Sequence, residues 1–468
     1  MNGLAKNRVP AVGLLSGAVL LAVSVSAVAV EEAPNGGRPR LLVLTDIGGD
    51  PDDQQSMVRL MTYANEFEIE GLIASGSGTP GELKRKMVQP ELIRQIVGAY
   101  GRVRDNLARH APGYPAAEDL LSRITSGNPN RGLEAIGPQQ DTEASAWIIH
   151  LVDKPDPQPV NIAIWGGQTD LAQSLWRVRN DRGEAGVKEF AKRLRVYDIG
   201  DQDGIQDWIF KNFPDLFYVL AKAPKGADRR EGTYRGMYLG GDESLTSHAW
   251  LELHLAGDHG PLGSLYPTKT WTAPNPNSAM KEGDTPSWFF FLPNGLGDPA
   301  HPEWGGWGGR FRRVERGLYR DAEDTVGKTT SARAAVYRWR PAFQNDFQTR
   351  MDWCVRSLRE ANHVPSAVLN GDTSRRVLHI RAKSGAAVRL SAEGSSDRDG
   401  NRLSYRWWVY PEAGTCRESA RLEASNQAVA TVHVRQGSAD TTIHVILVVT
   451  DDGIPPLTSY RRVIVEVE

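Results

Sequence analysis

Residues 41–57, LLVLTDIGGDPDDQQSM, form the segment that most constrains the fold of this chain. An apolar run, 41–44, leads into a glycine-rich acidic turn, and Met57, Leu60 and Met61 then follow at helical spacing. This order is typical of a buried strand, a tight turn and an amphipathic helix. It predicts a β-α unit whose acidic turn lies at the carboxyl end of a strand.

The turn carries four carboxylates within eight residues, at Asp46, Asp50, Asp52 and Asp53. Carboxylates this close repel one another unless a cation lies among them, and hard oxygen ligands suit Ca²⁺ or Mg²⁺. In the alternative, the acids of 50–53 only cap the helix and interact with its dipole. Capping uses one or two acids and does not require paired glycines, so we predict a metal-centred active site.

From about residue 39 to residue 360, apolar strand-like runs alternate with helical segments. The candidate strands are 41–44, 69–74, 160–165, 194–199 and 216–220, and helical segments between them include 91–103, 169–177 and 187–193. This alternation predicts an α/β domain with an open, mostly parallel sheet. Because the first four strands end in small or acidic residues, we expect their turns to converge on one pocket.

From about residue 365 the pattern changes to short alternating segments with Asp/Gly turns, which predicts a small all-β, Ig-like sandwich over 365–468. Trp407 and Trp408 would face opposite sides of one strand. We expect one in the core and the other against the first domain or a polysaccharide. The two cysteines, Cys354 and Cys416, fall on either side of the expected domain boundary. The sequence leaves open whether they pair.

The N-terminus has the features of a targeting segment. Basic residues precede an apolar run at 12–25 and a small-residue cleavage site, which predicts a signal peptide over 1–29. The alternative is a retained membrane anchor, because the apolar run is long for a signal core. We expect a first domain at 30–360 and export to the periplasm or the medium, without stable membrane insertion. A net charge of −2 gives no reason to expect a nucleic acid polymer as partner.

Three segments resemble the Ca²⁺-dependent nucleoside hydrolases. TDIGGDPDD at 45–53 resembles their acidic N-terminal motif, and GDTPS at 283–287 resembles the later segment that completes the metal site. Between them, IAIWGGQTDLAQ at 162–173 is similar to the segment whose strand-end carbonyl binds calcium. A closer resemblance is to exported bacterial nucleoside-hydrolase-like or cellulose-binding proteins with a C-terminal sandwich. It is carried by HGPLGSLYP at 259–267, LPNGLGDPAHPEWGGWGGRF at 292–311 and RWRPAFQNDFQTRMDWC at 338–354.

The resemblance implies a calcium site with defined ligands. Asp46 stands where the family has a carboxylate that contacts the metal and activates water. Asp52 and Asp53 match the adjacent acidic pair, one a metal ligand and the other a sugar contact. Trp165 would offer its backbone carbonyl, and Asp284 would close the site. The implied reaction is hydrolysis of an N- or O-glycosidic bond through an oxocarbenium-like state, by a metal-bound water that Asp46 activates.

The chain also departs from the family pattern. The acidic motif is two residues longer, with Gly49 and Asp50 as the extra positions, and Leu44 replaces the usual first Asp. Gly283 stands where purine-specific members have a His, and no Glu-Phe-Asn sugar motif follows the fourth strand. A glycoside, oligosaccharide or polysaccharide is therefore at least as good a substrate class as nucleosides. The alternative function is non-catalytic binding of a cellulose-like polysaccharide on the same fold.

Three polar residues are further candidates for substrate binding. Asp201 and Asp203 follow the fourth predicted strand and would contact sugar hydroxyl groups, or Asp would cap the next helix. Asn294 lies in a Gly/Pro-rich loop after Asp284 and would reach the pocket or stabilise a turn.

Two aromatic residues and a histidine complete the candidates. Trp304 and Trp307 in PEWGGWGGRF would present indole faces to a sugar ring, or would plug the loop against the domain. His259, in a turn framed by Gly and Pro, would act as a general acid for a leaving group. The alternative for His259 is a structural role.

Overall fold

A computed structural model describes Met1 and residues 37–76, 87–270, 279–416 and 420–468. The predicted signal peptide, residues 1–29, lies outside the described residues apart from Met1. Within the described part of the chain, no helix has the length and apolar character needed to cross a bilayer.

The first domain is built on an eight-stranded sheet with the spatial order β3-β2-β1-β4-β5-β6-β8-β7. Its strands are β1 (Arg40–Thr45), β2 (Glu68–Ala74), β3 (Ile124–Ser126), β4 (Val160–Ile164), β5 (Leu194–Ile199), β6 (Phe217–Ala221), β7 (Phe311–Glu315) and β8 (Leu318–Asp321). Neighbouring strands pair in parallel, except for the antiparallel β7–β8 pair. The predicted open, mostly parallel sheet is confirmed. A separate ribbon joins β9 (Asp324–Val326) to β10 (Thr329–Ser331).

Helices cover both faces of this sheet. They are α1 (Asp52–Thr62), α2 (Pro90–His110), α3 (Ala117–Leu121), α4 (Glu143–Asp153), α5 (Gln168–Lys192), α6 (Gln206–Asn212), α7 (His248–Leu251), α8 (Gly260–Gly263), α9 (Thr285–Phe289), α10 (Ala334–Tyr337) and α11 (Arg340–Trp353). Short 3-10 turns lie at Ala64–Glu66, Leu133–Ala135, Arg229–Glu231, Thr233–Met237, Glu243–Thr246 and Pro302–Trp304, and a π-helical turn at Glu252–Ala256. The helices predicted at 169–177 and 187–193 lie on either side of Gly183, whose backbone is not helical (φ 69°) and divides α5 into two helical segments.

The central strands of the sheet are buried on both faces, which explains their nearly continuous apolar sequences. In β1, Leu41 and Val43 pack into one core cluster while Leu42 and Leu44 pack into the other. The chain order reverses direction between β1 and β4, so the crevice beyond their carboxyl ends is a topological switch point, where α/β sheets bind ligands. Asp46 follows β1 and Trp165 follows β4 at this crevice.

The C-terminal region is the predicted all-β sandwich. Its strands are β11 (Leu378–Ala382), β12 (Ala387–Ser391), β13 (Leu403–Val409), β14 (Arg421–Glu423), β15 (Val429–His433), β16 (Thr441–Asp451) and β17 (Thr458–Val467). They form one sheet in the order β11-β17-β16-β13 and another in the order β12-β15-β14. Cys354 and Cys416 are buried and do not form a disulfide with each other.

The sandwich packs closely against the first domain. Trp407 lies in the sandwich core, whereas Trp408, on the other face of β13, lies 5.8 Å from Trp339 of the first domain. Arg462 of β17 is fully buried and donates to the carbonyl oxygens of Leu296 and, at 2.9 Å, Gly305. The loop 292–311 is therefore held by backbone-directed hydrogen bonds from the sandwich.

Glycine is required where this loop crosses β17. Gly295 has a left-handed backbone (φ 87°), and a Cβ atom there would lie 2.1 Å from the carbonyl oxygen of Tyr460. No side chain fits this gap, so loop and strand meet backbone to backbone.

Arg462→Met should lower the free energy of unfolding by roughly 1–3 kcal/mol, because it leaves buried loop carbonyls without a donor. We also expect the wild type to unfold in one calorimetric transition and the variant in two, because its sandwich separates from the first domain before that domain unfolds. Arg381→Met is the matched control, since Arg381 is 60% exposed and its loss should change stability by less than about 0.5 kcal/mol. If Arg462→Met and Arg381→Met show the same number of unfolding transitions at the same temperatures, Arg462 does not hold the sandwich on the first domain.

Candidate metal centre

The acidic turn folds back over the end of β1. The Ile47 N–H donates to Thr45 Oγ1 at 3.1 Å, and the Thr45 hydroxyl group donates to the Asp53 carboxylate. Gly48 adopts the left-handed conformation that the turn needs (φ 103°). These contacts place the first turn of α1, with Asp52 and Asp53, directly above the strand end.

Gln55 of α1 forms hydrogen bonds with a second segment of the site, residues 279–284. Its side-chain amide donates to the Ala279 carbonyl at 3.0 Å and accepts the N–H groups of Lys281 at 2.8 Å and Glu282 at 3.2 Å. Gln55 itself is fully buried. The segment therefore runs alongside α1, and this brings Asp284 to the first turn of that helix.

Glu282 anchors the same segment from the opposite side. Its carboxylate lies 2.5 Å from the Arg59 guanidinium group, and both side chains are completely buried. It also accepts hydrogen bonds from the Tyr266 hydroxyl at 2.6 Å and the Thr285 hydroxyl at 2.9 Å. All these partners are protein groups, so Glu282 positions Asp284 and takes no place among the candidate ligands.

Asp52, Asp53 and Asp284 together form a site that could hold a metal ion. One carboxylate oxygen from each lies within 4.8 Å of the others. Two oxygens bound to one Ca²⁺ at about 2.4 Å lie at most about 4.8 Å apart. Among the described residues, the buried Oδ2 of Asp284 has no hydrogen-bond partner. An orphaned buried carboxylate oxygen beside two further carboxylates is the arrangement that a divalent cation satisfies.

Asp46 lies at the edge of these three carboxylates. It is within hydrogen-bonding reach of Asp53 and forms an ion pair with Arg131. A Cβ atom at Gly166 would lie 2.7 Å from the Asp46 Cβ, so only glycine allows the end of β4 to approach this closely. The structure thus brings Asp46 together with the predicted metal ligands in one buried crevice.

Trp165 links the end of β4 to α9. Its indole N–H donates to Ser287 Oγ at 2.7 Å, and the Ser287 hydroxyl donates to the Asp284 carbonyl at 2.6 Å. The carbonyl group of Trp165, the predicted metal ligand, accepts a hydrogen bond from the Gln202 side chain. A carbonyl oxygen has two lone pairs, so this bond leaves one acceptor position on Trp165.

Burial is the main influence on the acidity of the cluster. It raises the pKa of Asp52 to about 7, against the lowering effect of Lys281. Burial and the neighbouring carboxylates hold the pKa of Asp53 and Asp284 well above the usual range. The pKa of Asp46 is also raised by burial, although the Arg131 guanidinium group lowers it in part. Raised pKa values favour the protonated carboxyl groups, and a cation among them would favour the ionised forms instead.

Two basic residues of the site were missed by sequence reasoning. Arg131 follows β3, a strand of only three residues that apolar periodicity does not reveal. Lys281 forms an ion pair with Asp50 and stands three residues before Asp284, a proximity in the sequence that could have identified it. Both cations sit at the rim of the acidic cluster and reduce its net negative charge.

The two aspartates after β5 have different surroundings. Asp203 accepts the Thr169 N–H at 2.7 Å and hydroxyl at 2.6 Å, and lies 3.7 Å from Arg131. It therefore forms an outer layer behind Asp46. Asp201 accepts the N–H of Gln206, the first residue of α6, at 3.0 Å, and forms an ion pair with Lys222. This matches the helix-capping alternative, and the carboxylate is not free to contact a sugar.

Trp304 and Trp307 are packed inside the protein. Trp304 stacks on His301 at a centroid distance of 4.0 Å and meets His444 of the sandwich at 5.7 Å. Trp307 packs edge-on against Phe289 at 5.2 Å. Because protein groups cover these indole faces, neither ring is available to a sugar. The structure matches the alternative in which the two tryptophans pack the loop against the domain.

His259 and Asn294 also lie apart from the carboxylates. Both ring nitrogens of His259 are engaged, one by the Gly257 carbonyl and the other by Asp352 at 3.3 Å, as in the structural alternative. Asn294 borders a cavity of about 20 Å³, and its buried amide nitrogen has no partner among the described residues. A cavity of this size holds roughly one water molecule and no sugar.

Comparison with known proteins identifies both domains. The model described as "Cellulose-binding Sde182, nucleoside hydrolase-like domain" matches residues 40–311, which is more than half of the chain. The model described as "Cellulose-binding protein Sde0182, C-terminal domain" matches residues 387–467. A search of curated proteins found no match.

A solved structure supports the same assignment over nearly the whole chain. It is a nucleoside hydrolase-related hypothetical protein from Saccharophagus degradans, described as associated with carbohydrate metabolism, with 35% identity and a TM-score of 0.79. The match covers 92% of this chain and 100% of that one. The PKD domain from KIAA 1837 protein is also matched, at 27% identity over 19% of this chain and 79% of that one, with a TM-score of only 0.15. The chain therefore belongs to the family of cellulose-binding Sde182 proteins with a nucleoside hydrolase-like domain.

Proposed function

We propose that this protein is an exported, calcium-dependent glycosidase that hydrolyses an N- or O-glycosidic bond of a carbohydrate. The observation that carries the proposal is the convergence of Asp52, Asp53 and Asp284 with Asp46 at the switch point of the sheet. The family description and the carbohydrate association of the Saccharophagus degradans relative support carbohydrates as the substrate class. Export is proposed from the N-terminal sequence alone.

The residues that would hold Ca²⁺ are Asp46, Asp52, Asp53 and Asp284, with the Trp165 carbonyl as a further oxygen ligand. Acidic and carbonyl oxygens in an irregular shell fit this hard cation. When bound, the ion would supply positive charge that makes a neighbouring water molecule easier to deprotonate.

Asp46 is the proposed general base. Its carboxylate would accept the proton of the attacking water, and Arg131 favours the ionised form that this step needs. The neighbouring carboxylates would stabilise the positive charge that develops on the sugar ring as the bond breaks.

A second candidate is non-catalytic carbohydrate binding. Two contacts favour it, because they engage groups that a hydrolase would need for the reaction. Asp46, the proposed base, is paired with Arg131. The Trp165 carbonyl, a proposed metal ligand, accepts a hydrogen bond from Gln202. In this alternative these contacts persist, and the cluster has a structural role.

One assay separates the two functions. Purified protein would be tested for reducing-sugar release from nucleosides, aryl glycosides and oligosaccharides, with Ca²⁺ and with a chelator. We expect release on at least one substrate that disappears in chelator. Polysaccharide binding without turnover on any substrate, unchanged by chelator, would establish the second candidate instead.

The calcium-free protein should lose stability as the pH rises from about 4 to 7. The pKa of Asp52 is about 7 in the folded protein against 3.8 ordinarily, so over this range the folded state keeps a proton that the unfolded chain has released. The free energy of unfolding of the calcium-free protein should therefore fall across this range.

Calcium should reverse that loss, since its ligands bind as deprotonated carboxylates. Thermal unfolding with and without Ca²⁺ should show a larger rise in Tm at pH 7.5 than at pH 5, and no rise in Asp284→Asn. Asp119→Asn, on the surface of α3, is the control and should respond as the wild type does. An equal rise at both pH values would contradict the proposed ligand set.

A further inference from the structure

A cavity of about 600 Å³ lies between α5, α6 and the turn after Arg131. Its walls include Leu133, Ile136, Trp176, Arg179, Trp208 and Asn212. None of the carboxylates of the metal centre lines it. Its volume falls within the range of about 300–1,000 Å³ that is usual for small-molecule sites.

The two indoles of this cavity differ from the packed Trp304 and Trp307. Trp176 and Trp208 are only half-buried and come from different helices, on two walls of the same cavity. Trp208 is held in place by an edge-to-face contact with Phe213 at 5.6 Å. A rigid, partly exposed indole offers an apolar face that matches the C–H face of a pyranose ring.

Polar groups stand next to the indoles. Arg179 donates to Asn212 Oδ1 at 3.3 Å, and the Asn212 amide donates to the Trp208 carbonyl at 2.8 Å. The buried Nε of Arg179 has no hydrogen-bond partner among the described residues, and Glu184 is 3.8 Å away from it. Arg179 and Asn212 both line the cavity, so their guanidinium and amide groups stand beside the indoles where a ligand hydroxyl group can meet them.

The charges of the cavity favour a neutral ligand. Arg179 and Glu184 balance each other, so a phosphate or an acidic sugar would gain one attraction and meet one repulsion. A neutral chain of pyranose rings instead satisfies the indoles through its ring faces and the amide and guanidinium groups through its hydroxyls.

Protein separates this cavity from the metal centre. Thr169, Gln173 and Trp176 follow one face of α5 at helical spacing, and Thr169 bonds to Asp203 of the metal-centre rim. Between the two sites, Gln173 is buried and its amide donates to the Gly137 carbonyl at 3.0 Å. Trp176 is thus about two helical turns, or about 11 Å, along α5 from Thr169, and the carboxylates of the metal centre are not among the residues that line the cavity.

We propose that this cavity is a binding site for neutral oligosaccharide chains, separate from the metal centre. It would hold a carbohydrate chain beside the acidic cluster whether or not that cluster hydrolyses it. The site therefore goes beyond the proposed glycosidase activity, and each can fail without the other.

The test is titration calorimetry of the whole protein in chelator with cellohexaose, a neutral pyranose chain. We expect binding that Trp176→Ala and Trp208→Ala each weaken by roughly tenfold, and that Trp208→Phe largely preserves. Trp250→Ala removes a half-buried indole elsewhere and should bind as the wild type does. Asp284→Asn should also leave binding unchanged.

Circular dichroism of each variant would establish that it is folded. No binding by the wild type at millimolar cellohexaose would overturn the proposal. It would also be overturned if folded Trp176→Ala and Trp208→Ala bind normally while Asp284→Asn does not, since the saccharide would then occupy the metal centre.

Discussion

Asp46→Asn should lower kcat on the hydrolysed glycoside by roughly 10²–10⁴-fold, the usual contribution of a general base. The amide has nearly the shape of the carboxylate but cannot take a proton from water at neutral pH. KM should change little if Asp46 acts on water and not on the sugar. Single-turnover rates and steady-state kinetics at saturating Ca²⁺ would measure both quantities.

The matched control is Asp50→Asn. Asp50 lies in the same turn and is also paired with a buried cation, Lys281, but it is neither a proposed calcium ligand nor the proposed base. Its variant should keep most of the activity. If the two variants lose activity equally, the effect comes from the charge of the turn, and Asp46 is not the base. Calcium titration of both variants separates loss of the base from loss of the metal.

Glu282→Gln should lower the free energy of unfolding by roughly 3–5 kcal/mol, which is typical when one partner of a buried ion pair is removed. The Arg59 guanidinium group would remain completely buried with its charge uncompensated. Urea unfolding followed by fluorescence, with and without Ca²⁺, would measure the change.

Glu118→Gln provides the surface control, because Glu118 is exposed on α3 and its loss should cost less than about 0.5 kcal/mol. Calcium affinity should also fall in Glu282→Gln, since Glu282 and Gln55 hold the segment that carries Asp284. A variant that keeps both its stability and its calcium affinity would show that the Arg59–Glu282 pair does not position this segment.

The acidic core of the site was predictable because its chemistry is local. Asp46, Asp52 and Asp53 fall within eight residues after an apolar strand, and resemblance to a known motif added Asp284. Arg131 was not predictable in the same way. Its strand spans only Ile124–Ser126, too short for alternation to show, so nothing local placed Arg131 at the carboxyl edge of the sheet.

The tryptophans show why long-range packing limits such predictions. The sequence left open whether Trp304 and Trp307 face a ligand or plug the loop, because their surroundings depend on the docked sandwich, which contributes His444 to the contacts of Trp304. Trp176 and Trp208 are 32 residues apart in sequence. Only the packing of α5 against α6 brings them to one cavity, and neither lies in a motif.

The contact between Gly295 and β17 has a consequence for how this architecture can be rearranged in evolution. Domain boundaries usually fall in exposed linkers, where few contacts cross from one domain to the other. Here the backbone of the first domain touches a strand of the second at a point where only glycine fits. A different sandwich could therefore dock on this first domain only if its strand left the same space for the backbone of the loop.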